Sequence, residues 1–357
     1  MLNFVAFVES NQSHLIDHFV PFCKIINAPI LLTQKNDFEI AKKFYPYSNF
    51  IYMDISNITE DYLVENFSGL IHSQFWNKEK FNLNFALSKN KFKKEFRSIY
   101  MPHGNSDKGH HYPMMENFPL QDISLVYGDK MIDFINEKSE KKIFDHIVIG
   151  NLRYHYFLEN FEFYKFLLED LILKDLDTYK KTILYAPTWN DYEGSSSFSI
   201  ATQNLIEKVA EKYNLIIKIH PKLYDEKIGQ IINLIEKHKN NKNIKILVDF
   251  PCIYPLLFYT DIYIGDYSSI GYDFLAFNRP MFFFNFQNLK KDDKKRFLHK
   301  YGIEILEKDL ENLPEIIENS LKKEKDFILK RKSLYSYTFA NTKPKAIRES
   351  LLKLCQK

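Results

Sequence analysis

Short apolar runs alternate with longer amphipathic stretches along this chain. The runs predict strands at 4–8, 30–33, 50–53, 69–72, 98–101, 123–127 and 147–149. Helix-length stretches, such as 11–26 and 81–96, lie between several of them. Continuous apolar strands separated by helices predict a parallel sheet covered on both faces. The alternation pauses at a helical stretch, 154–173, rich in Phe, Tyr and Leu, and a polar segment, 174–181. It resumes with strands at 182–186, 215–219, 244–247, 262–264 and 281–284 and helices at 202–212, 226–239 and 268–277. The C-terminal stretch reads as charged helix with Leu and Ile on one face. The expected domains are 1–165, 166–330 and a C-terminal helix, 331–357, that can cross back to the first domain. No internal repeat and no low-complexity tract interrupts this pattern.

A length of 357 residues suits about two domains. With 45% hydrophobic and 27% charged residues the chain can bury a core, which argues against wholesale disorder. The formal charge is only +3, so no global footprint for nucleic acid exists. Only 10 glycines are present, with no G-x-G-x-x-G and no Walker A sequence. A nucleotide site must therefore hold phosphate in another way. Three cysteines, Cys23, Cys252 and Cys355, are widely separated, which speaks against a disulfide framework or zinc and fits a reducing cytoplasm. The apolar start ends at Glu9 without a basic leader, unlike a signal peptide, and no membrane-spanning apolar stretch occurs. The charge-dense stretches 290–296 and 322–332 read first as solvated helix faces, and second as patches for anionic lipid or a polyanionic acceptor.

In doubly wound sheets, ligands bind beyond the carboxyl ends of the strands. Four polar clusters sit there. The first runs from Met101 and Pro102 through His103, Gly104, Asn105, Ser106, Asp107 and Lys108 to Gly109. Gly104 lets the backbone turn, a neutral His103 can take a hydroxyl proton, and Lys108 can supply charge to a phosphate. A plain helix-capping turn is the alternative, and the density of polar residues favours function. His110 and His111 follow, but no carboxylate or cysteine completes a metal spacing. The second cluster, Tyr185 to Asp191, contains Trp189, which suits packing better than base stacking, and Ser195, Ser196 and Ser197 follow it. The third delivers His220 at a strand end, stopped by Pro221, where phosphate donor and turn cap stand even. The fourth is Gly265-Asp266-Tyr267-Ser268-Ser269 between a strand and a helix. Free N–H groups at that helix start can hold phosphate without a glycine-rich loop, although N-capping by serine is common.

In this order, His103-Gly104, Tyr185–Trp189, Lys218–Pro221, Asp266–Ser269 and Arg279-Pro280 resemble the CDP-glycerol glycerophosphotransferase family. These enzymes build glycerol- or ribitol-phosphate polymers in teichoic acids and some capsules. The resemblance implies a GT-B fold: α/β, with two Rossmann-like doubly wound domains facing a central cleft. It implies a cytidine-diphosphate donor held mainly by the C-terminal domain. It also implies transfer of a polyol phosphate to the hydroxyl of a polysaccharide or lipid-linked acceptor, with CMP leaving. His103 then matches the general base and His220 the histidine on the donor phosphates. Ser268 and Ser269 match the serines at the pyrophosphate, with Asp266 ahead of them, and Thr188 and Asp191 fall in the nucleotide-side loop. Gly104, Asn105, Ser106, Asp107 and Lys108 fall on the acceptor side. The family commonly reads His-Gly-Thr-Pro-Leu-Lys where this chain has His103 to Lys108, and Arg where Asn190 stands. The length implies a single-transfer enzyme or a short-form polymerase.

In this scheme His220 and the Ser268–Ser269 helix start stabilise the leaving charge, and neither metal nor cofactor is required. The place of action is the cytoplasm, with loose attachment to the inner membrane face. Two other readings compete. A GT-B enzyme using a CMP-sugar, sialic acid or Kdo, would need an acidic base, for which Glu9 and Asp107 are candidates. A non-catalytic scaffold for an anionic polymer would release no CMP.

Overall fold

The computed structural model describes residues 3–9, 12–73, 78–108, 121–138 and 145–356. Gly109, His110 and His111 lie outside them. The chain divides into two compact units. One comprises Met1–Asn105, His111–Tyr156 and Ser336–Lys357, the other Ser106–His110 and Phe157–Tyr335.

The first unit is built on β1 (Phe4–Val8), β2 (Ile30–Leu32), β3 (Phe50–Tyr52), β4 (Gly69–His72), β5 (Arg97–Tyr100), β6 (Ile123–Val126) and β7 (His146–Val148). All pair in parallel, in the order β3-β2-β1-β4-β5-β6-β7. The intervening helices are α1 (Ile16–Ile26), α2 (Lys35–Phe44), α3 (Glu60–Asn66), α4 (Lys78–Phe92), α5 (Asp129–Lys138) and α6 (Leu152–Glu159). Every residue of β2, β4 and β6 is buried, which is why these strands read as apolar runs rather than alternating ones. On one face Val5, Leu31 and Leu70 pack with Phe85 and Phe96, whose rings stack at 4.9 Å.

The second unit opens with α7 (Phe161–Leu171) and is built on β8 (Thr182–Ala186), β9 (Asn214–Lys218), β10 (Ile244–Leu247), β11 (Ile262–Gly265), β12 (Met281–Phe284) and β13 (Ile303–Ile305). The order is β10-β9-β8-β11-β12-β13, again wholly parallel, the strand order of a dinucleotide-binding sheet. Its helices continue with α8 (Phe198–Lys208), α9 (Pro221–His238), α10 (Ile253–Phe258), α11 (Ser269–Phe274), α12 (Leu313–Leu321) and α13 (Lys325–Thr338).

Several boundaries differ from expectation. The 154–173 helix breaks at Asn160 into α6 and α7. The units part at Tyr156/Phe157 rather than 165/166, because Phe157 and Phe161 pack on Phe258, at 5.6 and 5.1 Å between ring centres. The expected C-terminal helix, 331–357, is instead the end of α13 and a separate helix. The latter, α14 (Pro344–Cys355), belongs to the first unit, where Leu354 accepts a bond from Arg97 at 2.9 Å and Ala340 donates to Tyr127 at 2.9 Å.

The first charge run is not a solvated helix face, whereas the second is largely one, on α13, apart from Arg331. Residues Lys294–Arg296 form a 3-10 turn in which Lys295 and Arg296 are buried, leaving Lys290, Lys291 and Lys294 exposed. In the other run Arg331 is buried, pairs with Glu324 and donates to Asn278 at 2.9 Å; burial pushes its guanidinium down to about 10. No helix among the described residues is long and apolar enough to cross a membrane.

Candidate active site

In the second sheet the strand order reverses between β8 and β11, and the chain beyond these two ends forms a polar knot. Asp266, 1% exposed, joins the two ends. Its Oδ2 accepts the N–H groups of Thr188 at 2.9 Å and Ser197 at 3.1 Å. Its Oδ1 has no hydrogen-bond partner among the described residues. Burial pushes its carboxyl up to about 6, against the opposing Ser197 and Thr188 hydrogen bonds and Lys108. Gly265 admits this turn, since a Cβ there would fall 2.1 Å from the Tyr263 hydroxyl oxygen. Asp266 is thus a brace for the loops rather than an exposed ligand.

Asp191 organises the loop after β8. Its Oδ1 accepts from Glu193 at 3.0 Å and Ser195 at 3.1 Å, and its Oδ2 pairs with Lys108 at 2.6 Å. Lys108 also donates to Thr188 Oγ1 at 2.8 Å. Burial works to raise the Asp191 carboxyl, but Lys108 and the Ser195 hydrogen bonds outweigh it and hold it low. Residues 104–108 were expected together on the acceptor side. Ser106, Asp107 and Lys108 instead belong to the second unit, leaving Gly104 and Asn105 in the first. Asp107 is buried there and accepts from Tyr272 Oη at 2.5 Å and Leu298 N at 3.0 Å, while Ser106 Oγ accepts from Lys108 N at 3.0 Å.

His220, half-buried, follows β9 and caps α9, with Pro221 at the first helical position. Its Nδ1 accepts from Lys222 N at 3.2 Å, so the proton of the neutral ring sits on Nε2, a donor. The Lys222 ammonium lies 4.4 Å from the Trp189 ring centre, and Trp189 packs against the sheet's core. Ser268 caps α11 through Ile270 N at 3.4 Å, and Ser268 and Ser269 are half-buried. That helix has only six residues, so few peptide dipoles add at its start.

Pattern reading passed over one further group. Lys295, 4% exposed, donates to the Glu193 carbonyl and Gln287 Oε1, each at 3.1 Å, and its ammonium lies 4.6 Å from the Tyr267 ring centre. Burial lowers its pKa, with Glu193 and Asp191 opposing. Tyr267 stacks on His299 at 4.5 Å, and Phe283 stacks on His299 at 4.6 Å. The only sequence signal was Lys295's place in a charge run. Burial of His299 lowers its pKa despite the Glu304 carboxylate at 2.9 Å. Unfolding then takes up a proton below about pH 6.5, so the stability His299 contributes is present above that pH and lost as pH falls. Asp266 acts in the opposite sense below about 6. Calorimetric melting temperature should fall as pH drops from about 6.5 towards 6, and His299→Gln should flatten that slope; an unchanged slope would exclude His299 as its source.

In the first unit His103, exposed, stands just beyond β5, with its Nδ1 3.1 Å from Ser73 Oγ. Gly104 takes φ +124°, a conformation other residues rarely adopt, and its N–H donates to Tyr127 Oη at 3.1 Å. Tyr127 donates to the Pro102 carbonyl at 2.7 Å, and His18 Nδ1 lies 3.1 Å from the same hydroxyl. Burial first, then Arg153, His103 and His14, hold His18 well below the usual histidine range. Glu9, half-buried after β1, is raised by burial. Among the described residues no group of three His, Cys, Asp or Glu side chains could hold a metal ion.

The fold is that of known proteins. A structure of the wall teichoic acid polymerase TagF superposes with a TM-score of 0.63 at 16% identity, covering 99% of this chain and 88% of that one. A UDP-GlcNAc 2-epimerase from Methanocaldococcus jannaschii gives 0.56 at 14% identity, covering 100% and 99%. At these identities the likeness shows the fold alone, the GT-B pairing of two Rossmann-like units. In sequence, the chain is 35% identical over 120 residues to the teichoic acid glycerol-phosphate primase of Bacillus subtilis (strain 168), covering 33% of this chain and 29% of that protein. It is 33% identical over 113 residues to the teichoic acid ribitol-phosphate polymerase TarL of Staphylococcus aureus (strain NCTC 8325 / PS 47), covering 30% and 19%. The match thus spans less than a third of either relative's length. The profile of the CDP-glycerol:poly(glycerophosphate) glycerophosphotransferases covers residues 170–342, nearly all of the second sheet's unit. That match covers just under half of the chain, and through it the second unit is similar to the CDP-glycerol glycerophosphotransferase family.

Proposed function

We propose that this protein transfers a polyol phosphate, glycerol phosphate or a near analogue, from a CDP-linked donor to an acceptor hydroxyl, releasing CMP. The product is a teichoic-acid-like or other cell-surface polymer. The observation that carries this reading is the polar knot at the reversal point of the second sheet, where Asp266 ties the Thr188 loop to the start of α11 and His220 offers Nε2–H beside it in strand order. The names of the relatives point to the same chemistry, and TagF has also been solved after a soak with CDPG.

The acceptor hydroxyl attacks the outer phosphorus of the donor. His103 takes the hydroxyl proton as the new P–O bond forms. The bond to CMP breaks, and its electron pair leaves with the CMP phosphate. His220 Nε2–H, with Ser268 and Ser269, stabilises that charge. One such fixed donor is worth about 2.7–4 kcal/mol of barrier, by analogy with oxyanion-hole donors. Lys108, paired with Asp191, positions the loop and is not a spare phosphate ligand. A nucleotide-activated donor places the reaction in the cytoplasm, and a lipid-linked acceptor places it at the inner membrane face.

Ligands that bind the native state raise its melting temperature. CMP and CDP are expected to do so, with or without magnesium, and UDP, GDP and ADP are not. A shift with UDP or GDP alone would sink the assigned donor, and no shift with any nucleotide would favour a non-catalytic scaffold.

A further inference from the structure

We propose that Ser73 is a positioning residue that fixes which nitrogen of His103 carries the proton. The inference rests on the reading of His103 as the base on the acceptor hydroxyl.

Ser73 follows β4 and His103 lies just beyond β5, and these strands are neighbours. Their parallel register sets His72 beside Tyr100, and Met101 N donates to the His72 carbonyl at 2.8 Å. Ser73, buried, therefore sits across from the His103 turn. Its Oγ lies 2.7 Å from the Met101 carbonyl and 3.1 Å from His103 Nδ1. A hydroxyl has one proton, and a carbonyl oxygen can only accept. The Ser73 proton must go to Met101, so its oxygen can offer His103 only a lone pair. Nδ1 must then be the donor. In the neutral ring the remaining lone pair falls on Nε2, the nitrogen left to take a proton from substrate. The opposite tautomer would set two lone pairs against each other.

The backbone of the turn is held by a separate device. Gly104 N–H donates to Tyr127 Oη, and that hydroxyl donates to the Pro102 carbonyl. Tyr127 fixes where the ring is attached, and Ser73 fixes how the ring is oriented and protonated. In the second unit His220 is held the other way, with Nδ1 accepting from Lys222 N and the proton on Nε2. One histidine is thus set as a base and the other as a donor, as proton acceptance from the nucleophile and stabilisation of the leaving group require.

The test uses the full chain as wild type, Ser73→Ala, Ser73→Thr and His103→Ala. Histidine-selective nitrogen NMR reads the tautomer without any turnover. His103 in the wild type is expected as the Nδ1–H form, Ser73→Ala as a mixture, and Ser73→Thr as wild type. CMP release is expected to fall about ten- to a hundredfold in kcat for Ser73→Ala, with donor KM unchanged and Ser73→Thr restored. An Nε2–H tautomer in the wild type overturns the inference, and this arm stands even if Ser73→Ala fails to fold. Wild-type kcat in Ser73→Ala beside an inactive His103→Ala also overturns it, while leaving His103 as the base. Full activity in His103→Ala would instead overturn the base reading itself.

Discussion

His103→Ala should reduce CMP release by about 10²–10⁴-fold, the usual contribution of a positioned general base. Its fold should survive, because the side chain is exposed and its hydrogen bond with Ser73 is worth about 0.5–1.5 kcal/mol. The turn itself hangs on Gly104 and Tyr127, which the substitution leaves in place. Steady-state rates beside melting curves separate the two quantities. A rate within threefold of wild type would remove His103 from the chemistry.

Asp107→Ala should do the reverse and act on stability. Asp107 is buried, with one oxygen on Tyr272 Oη and the other on Leu298 N. Truncation leaves two buried donors without their acceptor, at about 1–3 kcal/mol each. Asp107→Asn should cost less, since its amide oxygen still accepts one of the two bonds. Below the lowered melting temperature, the catalytic rate should stay near wild type. If Asp107 were the acidic base of a CMP-sugar transferase, both variants would lose activity at an unchanged melting temperature. Chemical denaturation and initial rates on the same samples decide between these outcomes.

The sheets were legible because their central strands are buried on both faces. Five unbroken apolar residues in β1 leave few alternatives, and the Rossmann-like order follows from strands alternating with helices. The strand-end clusters were legible for the same reason: a polar run directly after a buried strand has few structural uses. Other features depended on tertiary partners. The segment 106–108 follows the first unit's strand in sequence, yet its bonds lie in the second unit, with Asp191, Tyr272 and Leu298 far along the chain. Lys295 and Arg296 resemble solvated charge until Glu193 and Glu304 are seen beside them. The edge strand β13 is three residues long with Glu304 at its centre, too short for a periodicity. Ser73 carried no signal, since its meaning lies in one proton shared out between Met101 and His103.

Phosphorus NMR of CDP-glycerol incubated with the protein and a lipid-linked glycerol-phosphate acceptor tests the proposed chemistry most directly. Transfer of glycerol phosphate replaces the pyrophosphate signals by those of CMP and a new phosphodiester, in equal amounts. An unchanged donor, in a sample where CMP-sialic acid or CMP-Kdo is consumed instead, would contradict polyol-phosphate transfer and leave only the fold.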